Sequence, residues 1–215
     1  GGTREIFTPQ ELKKEFSLER VTPAPAVFDV EKLYWLNRHY IKESLPERIV
    51  QLAEPFFVRT GLLPENPEER VRMWFRKVVA LLVPSVDRLD QLPERAGLIF
   101  RYDAVAALCV PANTDVLRAP KTREVLAVFA QRVEGDLSPM TPEGFKSIMN
   151  EVKAKTGAKG QDLFHPVRIA LTGSNSGPEF DKLIPVIEEG SQLQLPRQVM
   201  TVRQRLAAFR MAQSL

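Results

Sequence analysis

At 215 residues, 44% hydrophobic and 27% charged, the chain is long enough for one large or two small domains with cores of their own. It contains no apolar run near the ~20 residues that a membrane-spanning helix needs, and its net charge of +3 argues nothing by itself about nucleic acid. A single cysteine, Cys109, excludes an internal disulfide or a multi-cysteine zinc site and makes a reducing, cytosolic location the expectation.

Helical patterning runs along the chain from its start. Gly1 to Glu15 is polar and mixed in charge, without a secretory signal. Thr8 is placed to cap PQELKKEF, with Pro9 at the first helical position and Glu11 three residues after the cap. Asp29 caps VEKLYWLNRHYIKES, where Leu33, Leu36, Tyr40 and Ile41 recur at helical spacing; Trp35 beside them is expected in the core. A third helix begins near Pro46 and runs through Ile49, Leu52, Ala53 and Phe56 towards Gly61. Pro55 predicts a kink or an early end to it. Glu68 to Leu82 puts Val71, Phe75, Val78, Val79 and Leu82 on one face, and Pro93 opens a short helix, ERAGLIF.

Tyr102 to Pro120 has no sustained period, so a domain junction is expected near residue 107. Cys109, within AALCVPA, reads as a small buried hydrophobe. KTREVLAVFAQRVEG follows, then TPEGFKSIMNEVKAKTG with Thr141 as cap. A run from Leu163 to Leu171 reaches a Thr172-Gly173 turn and the polar corner Ser174-Asn175-Ser176-Gly177-Pro178. Phe180 opens the next apolar run, with Leu183, Ile184 and Ile187. A last helix carries Val199, Val202, Leu206 and Phe209. With no clean period-2 segment, the predicted fold class is all-α.

A catalytic centre is not legible. His39 and His165 have neither metal-ligand spacing nor a His-Glu-x-x-His context; His39 reads as a packing or surface residue and His165 as a structural group at a helix start. No phosphate-cradling glycine loop is present, and the paired carboxylates Glu68-Glu69 and Glu188-Glu189 lie at helix ends. Charge distribution is more useful. No acidic residue follows Glu189, while Arg197, Arg203, Arg205 and Arg210 do. That is either a field that phosphates favour or a solvated face complementing a helix dipole. Recognition of unpaired bases needs exposed main chain, a flat platform and nearby cations. Ser174 to Phe180, with Arg168 one helix earlier, offers all three. Phe180 serves equally as stacking platform or as plain core.

Two word strings point further. DLFHPVRIALTGSNSGPEF, residues 162–180, and EIFTPQELKKEFSLERVTPAPAVFDVEKLYWLNRHYI, residues 5–41, resemble the C-terminal, anticodon-binding part of bacterial glutamyl-tRNA synthetases. That family's Lys-Met-Ser-Lys-Ser loop and His-Ile-Gly-His signature are absent here. The resemblance implies two consecutive helical bundles in a helix cage, 45–107 and 108–215, preceded by the end of a stem-contact segment, 1–44. It implies a cytoplasmic, monomeric tRNA binder that grips the anticodon arm of a glutamate-accepting tRNA. The catalytic domain, which uses ATP with magnesium, would precede it in the full enzyme; no cofactor is expected in this chain.

By the same resemblance Arg168, Gly177, Pro178 and Phe180 form the anticodon corner; Ser174 within that corner and Arg197 and Arg203 from the basic C-terminal run are further candidate contacts. Lys32, Asn37 and Arg38 are the groups that reach phosphate or ribose on the inner side of the tRNA. In members restricted to glutamate tRNA, an arginine can stand where this chain has Ser85, in Pro84-Ser85-Val86-Asp87-Arg88-Leu89. Serine lacks the bidentate reach of a guanidinium, which leaves Arg88 or another cation to replace it and puts strict discrimination from glutamine tRNA in doubt. A helical protein-interaction module that touches no RNA is the alternative function.

Overall fold

Caps and prolines written into the sequence open many of the helices. In the computed structural model, which describes residues 6–21, 27–136 and 138–214, Thr8 and Glu11 form a reciprocal capping box at the start of α1 (Pro9–Glu15). Asp29 accepts the Lys32 N–H at 3.0 Å and starts α2 (Val30–Glu43). Residue 5 and residues 22–26 of the 5–41 string lie outside the described residues.

The chain divides into two compact units, Gly1–Ser44 and Leu45–Leu215. In the first, neither helix buries a residue. Trp35, expected in a core, is 41% exposed. Two short helices cannot enclose a large ring, so the indole lies along its own helix, stacked on His39 at 6.2 Å, while His39 Nε2 sits 3.3 Å from Glu43.

The second unit is built from α3 (Pro46–Arg59), α4 (Glu69–Leu82), α5 (Leu92–Arg95), α6 (Gly97–Phe100), α7 (Ala104–Cys109) and α8 (Pro111–Arg118). It continues through α9 (Thr122–Gly135), α10 (Pro142–Thr156), α11 (Gln161–Thr172), α12 (Phe180–Ser191) and α13 (Val202–Gln213), with 3₁₀ turns at Val83–Ser85 and Leu89–Gln91. No strand occurs among the described residues; the fold is all-α. Pro55 does not end α3, which continues to Arg59. The lost N–H and ring clash cost about 3 kcal/mol, but Ala53 and Phe57, fully buried on either side of it, hold the helix to the core.

The segment read as irregular, 102–120, contains α7 and α8. Asp103 caps the first through the Ala106 N–H at 2.9 Å, and Pro111 starts the second. Helices of six and eight residues are too short to show a period. Cys109, expected buried, is exposed: α7 buries Ala104 and Ala107, and two further residues rotate Cys109 by roughly 200° to the opposite side.

The sequence suggests a junction near residue 107; the helices before and after that point share a core at Trp74. Its indole N–H donates to Val186 O at 2.8 Å, and its ring meets Phe100 edge-on at 5.8 Å. Early α4 is thereby pinned to late α12. Gly190 makes the approach possible, since a Cβ there would lie 2.7 Å from the indole. Gly190→Ala is therefore expected to destabilise by about 1–3 kcal/mol through overpacking, although alanine is the better helix former by up to about 1 kcal/mol. Urea unfolding checks this; a stabilised variant would mean that the α4–α12 contact is slack.

A second aromatic cluster joins Phe129, Phe145 and Phe180, with centroids 5.9 and 4.5 Å apart. It seats the start of α12 on α9 and α10. Among the described residues no helix is long and apolar enough to cross a membrane.

Candidate nucleic-acid interface

The corner between α11 and α12 begins with a helix end at which most carbonyls find donors. Gly173 caps α11 in the left-handed conformation at φ 79°, where glycine carries no Cβ penalty, and its N–H donates to Ile169 O at 2.9 Å. The Thr172 hydroxyl donates to Arg168 O at 2.8 Å, and the Tyr102 hydroxyl to Ala170 O at 2.6 Å. Arg205 Nη1 donates to Leu171 O and Asn113 Nδ2 to Gly173 O, both at 2.9 Å. Orphan carbonyls at a buried helix end need such donors. Three of the five donors come from elements remote in sequence.

Beyond the cap, the corner is braced rather than loose. Asn175 Nδ2 donates to Ala112 O at 2.8 Å, tying it to α8. Arg168 Nη1 donates to Pro178 O, and the same guanidinium lies 4.3 Å from the Phe180 ring centroid. Burial pushes the Arg168 pKa below the ordinary arginine value. Arg168 therefore grips its own corner from inside. Ser176 and Gly177 are exposed at the tip, with Gly177 at φ 148°. Of the two roles open to Phe180, the structure assigns the core one: it is 8% exposed and packed against Phe145.

A groove of about 480 Å³ runs beside this corner, lined on one side by Thr172, Ser174, Ser176, Gly177 and Pro178. Leu81 and Leu82 from the end of α4, Pro84 and Ser85 from the 3₁₀ turn after it, and Glu94, Arg95 and Leu98 from α5 and α6 form the rest. Ser85 and the corner, far apart in sequence, thus share one site. The Ser85 hydroxyl donates to Leu82 O at 2.7 Å. Arg95 is exposed and is the guanidinium of this groove; no motif marks it in the sequence, because only the packing of two four-residue helices beside α4 brings it there.

The remaining candidate cations lie elsewhere. Arg88 pairs with Asp90, Nε to Oδ1 at 3.0 Å, and does not line the groove. Arg197 lines a separate groove of about 620 Å³ with Thr60, Asp90 and Arg101; the two grooves meet at Glu94. Arg203 lines a cavity of about 180 Å³ with Glu188 and Thr201. Burial raises the Glu188 carboxyl pKa, with the Val202 N–H pulling it back.

Of the four arginines at the chain's end only Arg205 is fully buried. Arg210 is exposed and pairs with Glu134, while Arg197 and Arg203 line different hollows, so the four do not act as one continuous positive field. In the first unit, Lys32, Asn37 and Arg38 point from α2 in directions roughly 100–140° apart, so they do not share a face.

Comparison with known proteins fits this geometry. The model of the anticodon binding domain family matches residues 48–193, a range that contains Ser85, Arg95 and the corner. The glutamate–tRNA ligase of Desulforamulus reducens is 33% identical over 187 residues, covering 87% of this chain and 38% of that protein. That of Alkaliphilus metalliredigens is 35% identical over 185 residues, covering 86% and 37%. The chain thus spans under two-fifths of the length of these curated relatives. Among solved structures, a glutamate tRNA ligase from Elizabethkingia meningosepticum in complex with its amino acid superposes with a TM-score of 0.68 at 17% identity, over 97% of this chain and 37% of that one. The glutamate-tRNA synthetase of Elizabethkingia anophelis gives 0.64 at 19%, over 99% and 37%, and the two establish the shared fold. With its family model matched across the groove and its flanking helices, the chain belongs to the anticodon binding domain family.

Proposed function

We propose that this chain binds the anticodon arm of a glutamate-accepting tRNA, with unpaired nucleotides entering the groove between Ser85, Arg95 and the Ser174–Pro178 corner. One observation carries the reading: the groove unites an exposed, braced main-chain corner with apolar walls and a guanidinium. Splayed bases pack on apolar and flat surfaces and hydrogen-bond to main-chain groups at their edges. A corner already held in shape loses little further freedom on binding. Arg95 takes the place left by Ser85 as the groove's cation and contacts phosphate.

Around this site, 45–107 and 108–215 act as two helical parts of one anticodon grip. Residues 1–44 complete a stem-contact region, in which the spread of Lys32, Asn37 and Arg38 around α2 allows no more than one or two of them to face the tRNA together. In the full, monomeric, cytoplasmic enzyme the grip serves a catalytic part that joins glutamate to tRNA with ATP and magnesium. The present chain contributes RNA recognition and no step of that chemistry.

Binding titrations against glutamate tRNA and the same tRNA with an altered anticodon test the reading. Tighter binding of the native sequence, weakening as salt rises, is expected; equal binding of both would overturn anticodon recognition and favour a protein-interaction role. Arg95→Ala is expected to weaken both tRNAs alike and to reduce the slope of log affinity against log salt by about 1. An unchanged slope would remove Arg95 from the phosphate path.

A further inference from the structure

Arg205 lies in α13, which contributes no residue to the groove, yet its side chain holds both groove walls. It is 0% exposed. One nitrogen, Nη1, donates to Leu98 O at 2.7 Å and to Leu171 O at 2.9 Å. Leu98 lines one wall of the groove, and Leu171 directly precedes Thr172, which lines the other. Nη2 donates to Ile99 O, and Nε anchors the fork to Met200 O at 3.0 Å. The Tyr102 ring packs 5.3 Å from the guanidinium, and its hydroxyl bonds the neighbouring carbonyl of Ala170. A planar, five-donor fork has a fixed spread between its nitrogens. The carbonyl ends of α6 and α11 are therefore kept at a set separation.

We infer that Arg205 is a positioning residue for anticodon recognition: it sets the width of the groove between Leu98 and the α11–α12 corner, and through it α13 controls the fit of the bases. The inference rests on the function proposed above for that groove. A lysine has one donor head on a flexible stem and cannot span the two walls in the same way. Truncation removes the bonds that join the corner's side of the groove to Leu98 and leaves it held by Tyr102, Asn113 and Asn175.

The test compares the unaltered chain with Arg205→Met, Arg205→Lys and Tyr102→Phe in two readouts, taken at a temperature where each variant is folded. The first is amide hydrogen exchange over Leu171–Gly177 against exchange in α10 as an internal control. The second is the ratio of affinities for glutamate tRNA and for its altered-anticodon form. For Arg205→Met we expect exchange at the corner to accelerate at least about tenfold with α10 unaffected, and the affinity ratio to fall by roughly tenfold, equal to about 1.4 kcal/mol. Arg205→Lys should restore part of each, and Tyr102→Phe should shift both in the same direction by less. Corner exchange that stays unchanged, or that rises only in step with α10, overturns the inference. If the methionine variant does not fold, the lysine and phenylalanine variants decide by the same criteria. Should the unaltered chain bind both tRNAs equally, the proposed function fails instead, and the exchange readout still decides whether Arg205 sets the groove.

Discussion

Trp74→Ala is expected to lower the stability of the Leu45–Leu215 unit by about 3–5 kcal/mol, the range for removing a buried aromatic side chain. Trp74 is 2% exposed, so its removal opens a cavity at the centre of the α4–α12 contact. Three further effects add to the lost volume. Val186 O loses its donor at 2.8 Å, Phe100 loses its edge contact, and Gly190 no longer faces a ring that fills the space above it. Equilibrium urea unfolding followed by far-ultraviolet circular dichroism measures the change. Trp74→Phe should recover part of the packing but not the hydrogen bond, and combining it with Gly190→Ala should cost less than the sum of the two, because the smaller ring leaves room for the added methyl. A loss below about 1 kcal/mol for the alanine variant would mean that the two ends of the unit are not joined through this residue.

Arg205→Met is expected to cost a similar amount, about 3–5 kcal/mol. Four carbonyl oxygens, on Leu98, Ile99, Leu171 and Met200, lose their donor, those of Ile99 and Leu171 in buried surroundings, at about 1–3 kcal/mol for each that finds no replacement. Relief from burying a cation offsets part of this. That burial is also what pushes the Arg205 pKa down to about 10. The folded guanidinium accordingly holds its proton throughout the neutral range, and the deficit should be the same at neutral pH and in mild alkali. Thermal unfolding of variant and parent across that range checks both statements. A deficit that vanishes in mild alkali would mean the side chain is already neutral there.

Much of the helical pattern was legible because its signals are local. The Thr8 capping box, the Asp29 and Thr141 caps, and Gly173 at the end of α11 depend on residues within one turn of each other. Local signals were insufficient elsewhere. At Pro55 they offered a kink or an early end, and the end does not come there, in a helix that Ala53 and Phe57 anchor in the core. The segment 102–120 folded into two helices too short for periodicity to reveal. Trp35 failed in the opposite sense: it was expected in a core because Leu33 and Leu36 lie beside it, but the Gly1–Ser44 unit buries none of its two helices' residues.

The candidate site shows the same division. Ser174–Pro178 reads as a polar, glycine-containing corner from its composition alone, and the structure leaves its tip exposed. Its pairing with Ser85 across a groove could not be read from spacing, since that pairing depends on how α4, α5 and α11 pack. The arginines make the point most clearly. Arg88, Arg95, Arg168 and Arg205 are alike in sequence as cations, yet one pairs with Asp90, one faces the groove, one braces the corner and one is sealed between helix ends. Helix starts and stops were written in neighbouring residues, because a backbone hydrogen bond closes within four positions. The task of each guanidinium was left to packing, because a long side chain takes its partners from whatever the folded chain brings to its tip.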